Sequence, residues 1–206
     1  VHCGQHIRQG LIEILLNSTH FDESRVHLVH RLDKATSGVL LMAKTRKATV
    51  FLAEQFKTRQ VKKQYQALVH GWVELKKFQI DNHLSPIKRA GQYIMLCGHE
   101  GQRAKTNAQV RQHYRMSCDG AEASLTLLSL FPETGRKHQL RCQLKDIGHP
   151  IVSDPLYMAD NLEIQDRHCA LPFFLHADRL SFRHPATQEV IEICAPLPKE
   201  LQACLS

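Results

Sequence analysis

Segments with the character of β-strands follow one another closely through the middle of the chain, and this succession constrains the fold more than any other feature. They lie at 62–73, 77–83, 92–97, 104–114 and 122–131. The first alternates between one face with Tyr65, Ala67 and Val69 and another with Gln64, Gln66 and Leu68. Two more segments, 173–185 and 189–196, predict a hairpin around the tetrapeptide PATQ. Short hairpin-like strands with few helices between them predict an α+β fold with a mixed, mostly antiparallel sheet, rather than a doubly wound one.

Apolar residues recur at helical spacing in three places, 9–19, 46–60 and 136–148. The middle helix is expected to turn Val50, Phe51 and Phe56 toward the core. The last helix is expected to end at Gly148, which is followed by a His-Pro pair. These helices would flank the predicted sheet.

Basic residues outnumber acidic ones in this chain of 206 residues, with 27 Lys and Arg against 20 Asp and Glu and a net charge of +7. They gather at 57–63, at 135–145, and at Lys88, Arg89, Arg103 and Lys105. Such a surface is either a solvated charged face or a binding surface for a polyanion, because neutralised phosphates release counterions and favour binding. Composition alone leaves both interpretations open.

The seven cysteines are scattered and form no Cys-x-x-Cys pair. This usage is typical of the reducing cytoplasm and disfavours both a disulfide framework and a structural zinc site. The nearest approach to a set of metal ligands is His2, Cys3 and His6, and we expect no metal there. No apolar run reaches the roughly 18 residues that span a bilayer. We therefore expect a cytoplasmic protein without a metal or a membrane partner.

A charged cluster, His30, Arg31 and Asp33, directly precedes a turn of small residues and the apolar run 37–45, which predicts a buried strand. An aspartate beside Thr, Ser and Gly commonly caps a turn. The alternative is a carboxylate placed at the mouth of a cleft. This stretch alone does not decide between a structural and a chemical aspartate.

A second basic segment covers 132–144 and leads into the predicted helix. Gly135 and the residues after it offer backbone donors, and the basic side chains Arg136, Lys137 and Arg141 would project from the first turns. The apolar side of this helix would consist of Leu140, Leu144 and Ile147. That arrangement places Arg141 near the buried edge of the helix.

Successive stretches of the chain resemble, in order, the motifs of the RluA family of pseudouridine synthases: HRLDKATSGVLLMAK, KKQYQALVHG, TGRKHQLR and GHPIVSDPLY. The resemblance extends from VHCG at the start to FLHADRLSFRHPATQEVIEICAP near the end. Within the family, the sequence most resembles synthases of large-subunit ribosomal RNA. The resemblance implies a catalytic domain with a deep central cleft, a ribosomal RNA partner, and isomerisation of uridine to pseudouridine without a cofactor or a metal.

By match to the family's motifs, Asp33 is the catalytic carboxylate. It would attack the anomeric sugar carbon or take a proton from the neighbouring sugar carbon, and the sequence leaves both roles open. Arg141 matches the basic partner that keeps this carboxylate ionised. Tyr65 matches the active-site tyrosine, whose ring can stack on the uracil and whose hydroxyl can assist removal of the ring-carbon proton.

Other residues are expected to contact the substrate or to support those that do. Arg31 is expected to fill or brace the gap left by a nucleotide that has been flipped out of its stack. The remaining candidates for substrate or RNA contact are His30, Thr36, Lys63, Arg136 and His138. Of these, His30, Thr36 and His138 are expected mainly to support the site from behind.

The resemblance also sets expectations for the domain organisation and for the alternative functions. We expect residues 1–206 to form one monomeric catalytic domain, and the small N-terminal RNA-binding module of many family members to be missing from this sequence. One rival is an RNA-binding module that has the fold without the reaction, against which the trio of Asp33, Tyr65 and Arg141 counts. Another is a glycosidase-like hydrolase using Asp33, which lacks a second acidic residue in any matched motif.

Overall fold

A central antiparallel sheet dominates the computed structural model, which describes residues 26–89, 91–118, 121–158 and 171–205. The strands of the described residues are β1 (His27–Leu28), β2 (Ser37–Gly38), β3 (Met42–Ala43), β4 (Lys62–His70), β5 (Lys77–Arg89), β6 (Gln92–Gly98), β7 (Gln102–Cys118), β8 (Ala121–Pro132), β9 (Leu175–Arg183) and β10 (Val190–Cys194). Of these, β1 and β3 pair with each other in a separate two-stranded sheet. The order across the main sheet is β10-β9-β4-β8-β7-β5-β6, and β2 pairs with β9 beside that path. The pair β2–β9 is parallel and the others are antiparallel, so the predicted mixed, mostly antiparallel sheet is confirmed.

The helices in the described part of the chain are α1 (Arg46–Lys57), α2 (Gln139–Asp146) and the short α3 (Lys199–Ala203). The helix predicted at 9–19 lies outside the described residues. The hairpin predicted around PATQ is confirmed, with β9 and β10 paired from Arg183–Val190 to Arg179–Cys194.

The two faces predicted for β4 are also confirmed. Ala67 and Val69 pack in one buried cluster together with Leu140 and Leu144 of α2, and Tyr65 packs against it. Leu68 points the other way, into a cluster that contains Phe174 and Leu201. The face that carries Tyr65 therefore lies against α2.

The buried strand predicted at 37–45 is wrong. In its place are two short strands, β2 and β3, and of these nine residues only Ala43 is buried. Gly38 has φ +106°, a left-handed conformation outside the strand region, and its backbone lies too close to the backbone of Ala177 to leave space for a Cβ. The apolar run therefore bends away from β9 after a two-residue contact.

Helix α1 follows the prediction in extent but not fully in orientation. Thr45 caps it, because the Thr45 side chain accepts a hydrogen bond of 3.1 Å from the Ala48 amide. Phe51 and Phe56 pack against the cluster of Leu180 and Phe182, as expected. Val50 was predicted to face inward and is 66% exposed.

Helix α2 begins at Gln139, later than the predicted residue 136. The cause is His138, whose φ of 51° is left-handed and incompatible with a right-handed helix. Leu140 and Leu144 are buried as predicted, whereas Ile147 is 37% exposed because it lies beyond the last helical residue. Gly148 follows with φ +84°, consistent with the predicted end of the helix.

Candidate active site

A cleft of about 680 Å³ opens where the loop before β2, the end of α1, strand β4 and the loop before α2 meet. Its lining combines acidic, basic, aromatic and hydroxyl groups in a partly enclosed space. The side chains in it that bear on chemistry are His30, Arg31, Asp33, Thr36, Arg59, Lys63, Tyr65, Arg136, Lys137 and Gln139. The structure therefore brings most of the sequence-predicted site residues to one place.

The loop that carries Asp33 is fastened to β9. The Thr36 amide donates to the Asp33 carbonyl at 3.0 Å, which closes a turn, and the Val39 amide donates to the Ala177 carbonyl at 2.9 Å. Ser37 Oγ lies 2.8 Å from His176 Nδ1, although these residues are 139 positions apart in sequence. The position of the Asp33 carboxylate thus depends on contacts with the distant strand β9.

Asp33 and Arg141 are adjacent, as the motif match predicts, with Asp33 Oδ2 3.9 Å from Arg141 Nη1. The stronger contact of Arg141 is with Asp154. Arg141 donates two hydrogen bonds to it, Nε to Oδ2 at 2.7 Å and Nη2 to Oδ1 at 2.6 Å. The Asp154 side chain is completely buried, whereas that of Asp33 is 18% exposed. Asp154 therefore holds Arg141 on the side away from the cleft, and Asp33 faces the cleft.

Aromatic rings enclose the Arg141 guanidinium further. Its Cζ lies 5.2 Å from the centre of the Tyr157 ring and 5.3 Å from that of Phe173, distances at which a cation is attracted to a ring face. Burial alone would lower the pKa of Arg141, but the hydrogen bonds and charge of Asp154 and the charge of Asp33 outweigh it and raise the pKa. Arg141 is therefore a permanent, immobile cation.

Tyr65 projects from β4 into the same cleft. Its backbone lies opposite Leu130 of β8 and Ala177 of β9, with a register irregularity in the β9 pairing between Gln64 and Tyr65. Burial, and then the negative charge of Asp33, raise the pKa of Tyr65 to about 12. The phenol is therefore neutral at physiological pH, and it can stack on a base or donate a hydrogen bond.

Lys63 and His30 lie on the wall of the cleft, and their surroundings lower the pKa of each. Lys63 Nζ donates to the Thr134 carbonyl at 3.0 Å, and burial, followed by the charge of Arg59, lowers the pKa of Lys63 to about 8. Burial, and then the charge of Lys63, lower the pKa of His30 to about 4. His30 is thus neutral at physiological pH, while Lys63 is largely charged.

The contacts of His30 fix its ring in place. Its Nε2 accepts a hydrogen bond of 2.8 Å from the Leu41 amide. The ring stacks on Phe56 with centroids 4.6 Å apart. These contacts fit the supporting role expected of His30 better than direct contact with a phosphate.

Arg31, Thr36 and Arg136 also line the cleft. Arg31 is exposed. Arg136 donates from Nε to the Arg103 carbonyl at 3.2 Å. Thr36 Oγ1 is buried and, among the described residues, has no hydrogen-bond partner, so it is available to a polar group of a ligand.

His138 is not among the residues that line the cleft. Its Nδ1 lies 3.0 Å from the Tyr157 hydroxyl, behind Arg141. Burial, and the positive charges of Arg141 and Lys137, lower the pKa of His138, although the negative charge of Asp33 acts in the opposite direction. This placement fits a supporting residue.

Sequence reasoning missed two residues that organise the site. Asp154 lies within the motif GHPIVSDPLY, and its position before a proline gives no sign of an ion-pair partner. Gln139 is 4% exposed and holds the loop before α2, since its Oε1 accepts hydrogen bonds from Thr134 Oγ1 at 2.7 Å and the Arg136 amide at 3.0 Å. A polar residue at a buried helical position was the available signal for Gln139.

Two further observations concern the described residues only. They contain no group of three or more His, Cys, Asp or Glu side chains arranged to hold a metal ion, and His2, Cys3 and His6 lie outside them. None of the helices described is both long enough and apolar enough to cross a membrane.

Comparison with known proteins identifies the family. The family model described as RNA pseudouridylate synthase matches residues 8–146. The chain belongs to the RNA pseudouridylate synthase family. The resemblance that the sequence motifs indicated is thereby confirmed, and the cleft just described is that of a pseudouridylate synthase fold.

Individual relatives agree with this assignment. This chain is 37% identical over 209 residues to the ribosomal large subunit pseudouridine synthase C of Salmonella typhi and to that of Escherichia coli (strain K12). Each alignment covers all of this chain and 63% of the relative, so the chain spans less than two thirds of the length of these proteins.

Solved structures show the same fold. Human RNA pseudouridylate synthase domain containing 1 superposes with a TM-score of 0.69 at 28% identity, covering 87% of this chain and 73% of that one. Human RNA pseudouridylate synthase domain containing 4 superposes with a TM-score of 0.66 at 27% identity, covering 87% and 74%. These similarities agree with the predicted sheet and central cleft.

Proposed function

We propose that this chain isomerises specific uridines to pseudouridine in large-subunit ribosomal RNA. The observation that carries the proposal is the position of Asp33 in the cleft, 3.9 Å from the buried cation Arg141, with Tyr65 lining the same cleft. The names of the relatives from Salmonella typhi and Escherichia coli supply the class of RNA.

Asp33 starts the reaction in this proposal. As an ionised carboxylate it attacks the anomeric carbon of the ribose or removes a proton from the neighbouring sugar carbon, and the bond to the base nitrogen breaks. The uracil leaves with the bonding electrons, rotates, and rejoins the sugar through a ring carbon. As it rejoins, either the bond between Asp33 and the anomeric carbon breaks, or Asp33 returns the proton to the neighbouring sugar carbon. That ring carbon then loses its proton, and the nitrogen that left the sugar gains one, so the product has the mass of the substrate.

The positive charge of Arg141 offsets the energetic cost of holding the negatively charged Asp33 in a partly enclosed site. Because Asp154 already accepts two hydrogen bonds from Arg141, the guanidinium is held without relying on Asp33. Asp33 is therefore free to move between the cation and the sugar while Arg141 remains in place.

Tyr65 is placed to stack on the uracil during rotation. Its pKa of about 12 keeps the hydroxyl protonated, so it enters the reaction as a hydrogen-bond donor. A role in removal of the ring-carbon proton requires that its own proton first pass to another group.

The basic lining suits a nucleotide that has been flipped out of an RNA stack. Arg31, Lys63 and Arg136 line the cleft, and in this proposal they bind the phosphates adjoining that nucleotide. Thr36 Oγ1 offers a hydrogen bond to a polar group of the flipped nucleotide. His30 and His138 support the walls.

An isomerisation that exchanges no electrons with a second reactant needs no redox cofactor, and we propose that none is used. We further propose a monomeric catalytic domain that acts in the cytoplasm. The small RNA-binding module of many family members would add affinity and selectivity. Unchanged turnover on a short unstructured RNA after chelation of divalent ions would support a reaction without a metal.

The test is to incubate the protein with transcripts of large-subunit ribosomal RNA labelled with tritium at the ring carbon that forms the new bond. The proposal expects tritium release and a mass-neutral isomer of uridine after digestion. Asp33→Asn should abolish both while RNA binding is retained, because the amide keeps the shape without the charge.

The neighbouring variant Lys34→Gln, at an exposed position of the same turn, is the matched control and should still turn over. Asp33→Asn with more than a trace of the normal rate would move the chemistry to another residue. RNA binding by the unaltered protein without any isomer would favour the inactive RNA-binding module instead.

A further inference from the structure

An exposed aromatic stack lies outside the cleft, just beyond the end of β4. Trp72 is 47% exposed, and its ring is parallel to that of His113 on β7, with centroids 3.9 Å apart and 5° between the planes. Arg115, two residues further along β7, has its Cζ 5.8 Å from the centre of the Trp72 ring. We call Trp72, His113 and Arg115 the Trp72 platform. His113 covers one face of the indole and the Arg115 guanidinium lies over the ring at a greater distance, and a large part of the indole is still exposed.

Hydrogen bonds hold the backbone on both sides of Trp72. The Gly71 amide donates to the Ser124 carbonyl at 2.7 Å, and Thr126 Oγ1 donates to the Gly71 carbonyl at 2.7 Å. The Val73 amide donates to Thr126 Oγ1 at 3.1 Å. An exposed ring held this firmly is organised before any ligand arrives, which reduces the entropy lost on binding.

The stacked histidine is also fixed, since His113 Nε2 lies 3.0 Å from the Val73 carbonyl. The two rings are therefore held parallel by the same short segment. A flat ligand that stacks on the exposed indole would extend this stack, with the exposed Arg115 side chain shifting to its edge.

The charges near the platform are mainly positive. Arg115 and Arg111 are exposed on β7, and Lys76 and Lys77 are exposed at the start of β5. The Val110 amide donates to the Lys76 carbonyl at 3.0 Å, which places this start beside β7. Glu74 is the acidic residue of the segment between β4 and β5. The surroundings of the exposed indole thus favour an anionic ligand with flat rings.

We propose that the Trp72 platform is a second RNA contact, at which an unpaired nucleobase stacks on Trp72 while Arg115 binds an adjacent phosphate. This inference rests on the proposed function for the choice of RNA as the ligand. Nucleobases of any sequence stack on aromatic side chains, and basic residues follow the backbone beside them. Trp72, His113 and Arg115 are not among the described residues that line the cleft.

The two sites would engage different parts of one folded RNA. Tyr65 and Trp72 are seven residues apart along β4 and its extension. Their Cα atoms are therefore at most about 23 Å apart. A base held at Trp72 would therefore orient the RNA while the target uridine occupies the cleft. The platform acts in recognition and touches none of the reacting atoms.

The experiment uses the fact that Trp72 is the chain's one tryptophan. Tryptophan emission of the whole protein is recorded during titration with a single-stranded oligouridylate and with a transcript of large-subunit ribosomal RNA, and binding is followed separately by the anisotropy of labelled RNA. Stacking should quench the emission in step with binding. Trp72→Ala should raise the RNA concentration for half-maximal binding and turnover about tenfold, within the range that loss of one stacked base produces.

Three further variants test the platform more specifically. Trp72→Phe should restore most of the affinity, because a smaller ring still stacks. Val190→Ala changes a side chain that is 67% exposed on β10 and should alter neither affinity nor emission. Arg115→Gln should weaken binding and flatten the logarithmic salt dependence by about 0.7–0.9, the change expected from one lost phosphate contact.

RNA that binds by anisotropy without changing the tryptophan emission would overturn the platform, as would Trp72→Ala with unaltered RNA affinity. Failure of the proposed function looks different: the RNA would bind and quench Trp72, but no pseudouridine would form. A working synthase with unchanged emission would refute only the platform.

Discussion

Arg141 is bound to Asp154 by two hydrogen bonds of 2.6 and 2.7 Å, and this pair is buried behind the cleft. Asp154 is in turn held by the amides of Leu156 and Tyr157, which donate to its Oδ1 at 2.9 and 3.2 Å. The contact from Arg141 to Asp33 is longer, at 3.9 Å. Asp154 therefore holds the cation in position, and Asp33 receives its electrostatic influence.

We predict that Arg141→Met both destabilises the protein and abolishes turnover. The substitution leaves Asp154 buried without its cation, which typically costs about 3–5 kcal/mol. Urea denaturation measures the stability, and tritium release measures the turnover. Full turnover of Arg141→Met at neutral pH would show that the cation is not needed by Asp33.

The double variant Arg141→Met with Asp154→Leu separates structure from chemistry. Removing both charges removes the unpaired carboxylate, so we expect the double variant to recover at least half of the stability lost by Arg141→Met. Turnover should stay absent, because Asp33 still lacks its cation. Recovery of turnover together with stability would mean that Arg141 serves folding alone.

Lys63→Met is predicted to stabilise the protein at neutral pH. Burial and the charge of Arg59 lower the pKa of Lys63 to about 8, so the folded state disfavours its charged form. That cost is complete below about pH 8 and vanishes as the pH rises toward about 10.4, the ordinary value for lysine. Allowing for the lost hydrogen bond to Thr134, we expect a gain of about 1–2 kcal/mol near pH 7.

The measurement is urea denaturation of Lys63→Met and the unaltered protein near pH 7 and again near pH 10. The gain should shrink at the higher pH. Lys62→Met, at the exposed neighbouring position on β4, is the control and should change stability little. A gain that does not depend on pH would point to packing of the methionine instead.

Acid should destabilise the protein partly through His30. Its pKa of about 4 in the folded chain is below the unfolded value of about 6.5, so the unfolded state binds the proton more readily. Stability from His30 is present above about pH 6.5 and is lost as the pH falls toward 4, by up to roughly 3 kcal/mol. The lowered pKa of His138 acts in the same direction.

Comparing His30→Gln with the unaltered protein isolates this contribution, because the other titrating groups are shared. We expect the variant to lose less stability between about pH 6.5 and 4, whatever its stability at neutral pH. His27→Gln, at an exposed position, should leave the slope unchanged. Identical slopes for His30→Gln and the unaltered protein would contradict a buried neutral His30.

The sequence predicted the sheet because its strands carry their own local signal. β4 alternates between a face toward α2 and a face toward Phe174, and such alternation can be read without knowing the partner strands. The bend after Gly38 could not be predicted in this way, because it depends on the backbone of Ala177 far along the chain. The late start of α2 depends on one left-handed residue, His138.

The site was predictable to a similar extent. Motif matching placed Asp33, Tyr65 and Arg141 together, and the structure brings them to one region, while their catalytic roles stay a prediction. Asp154 could not be identified as a site residue, because the sequence around it does not indicate that its carboxylate contacts Arg141. The sequence did not single out Trp72, because exposure is a property of the folded surface and the sequence shows only an aromatic residue within the predicted strand 62–73.

The attachment of the Asp33 loop to β9 has a consequence for the time at which the protein becomes active. During synthesis, Asp33, Tyr65 and Arg141 are all translated before Leu175–Arg183, the strand that supplies His176 and Ala177 to the loop. At typical ribosomal speeds, on the order of ten seconds separate the translation of Asp33 from that of its anchor. A growing chain is therefore expected to carry Asp33, Tyr65 and Arg141 and still lack the anchored Asp33 loop, and to become competent only once β9 has left the ribosome.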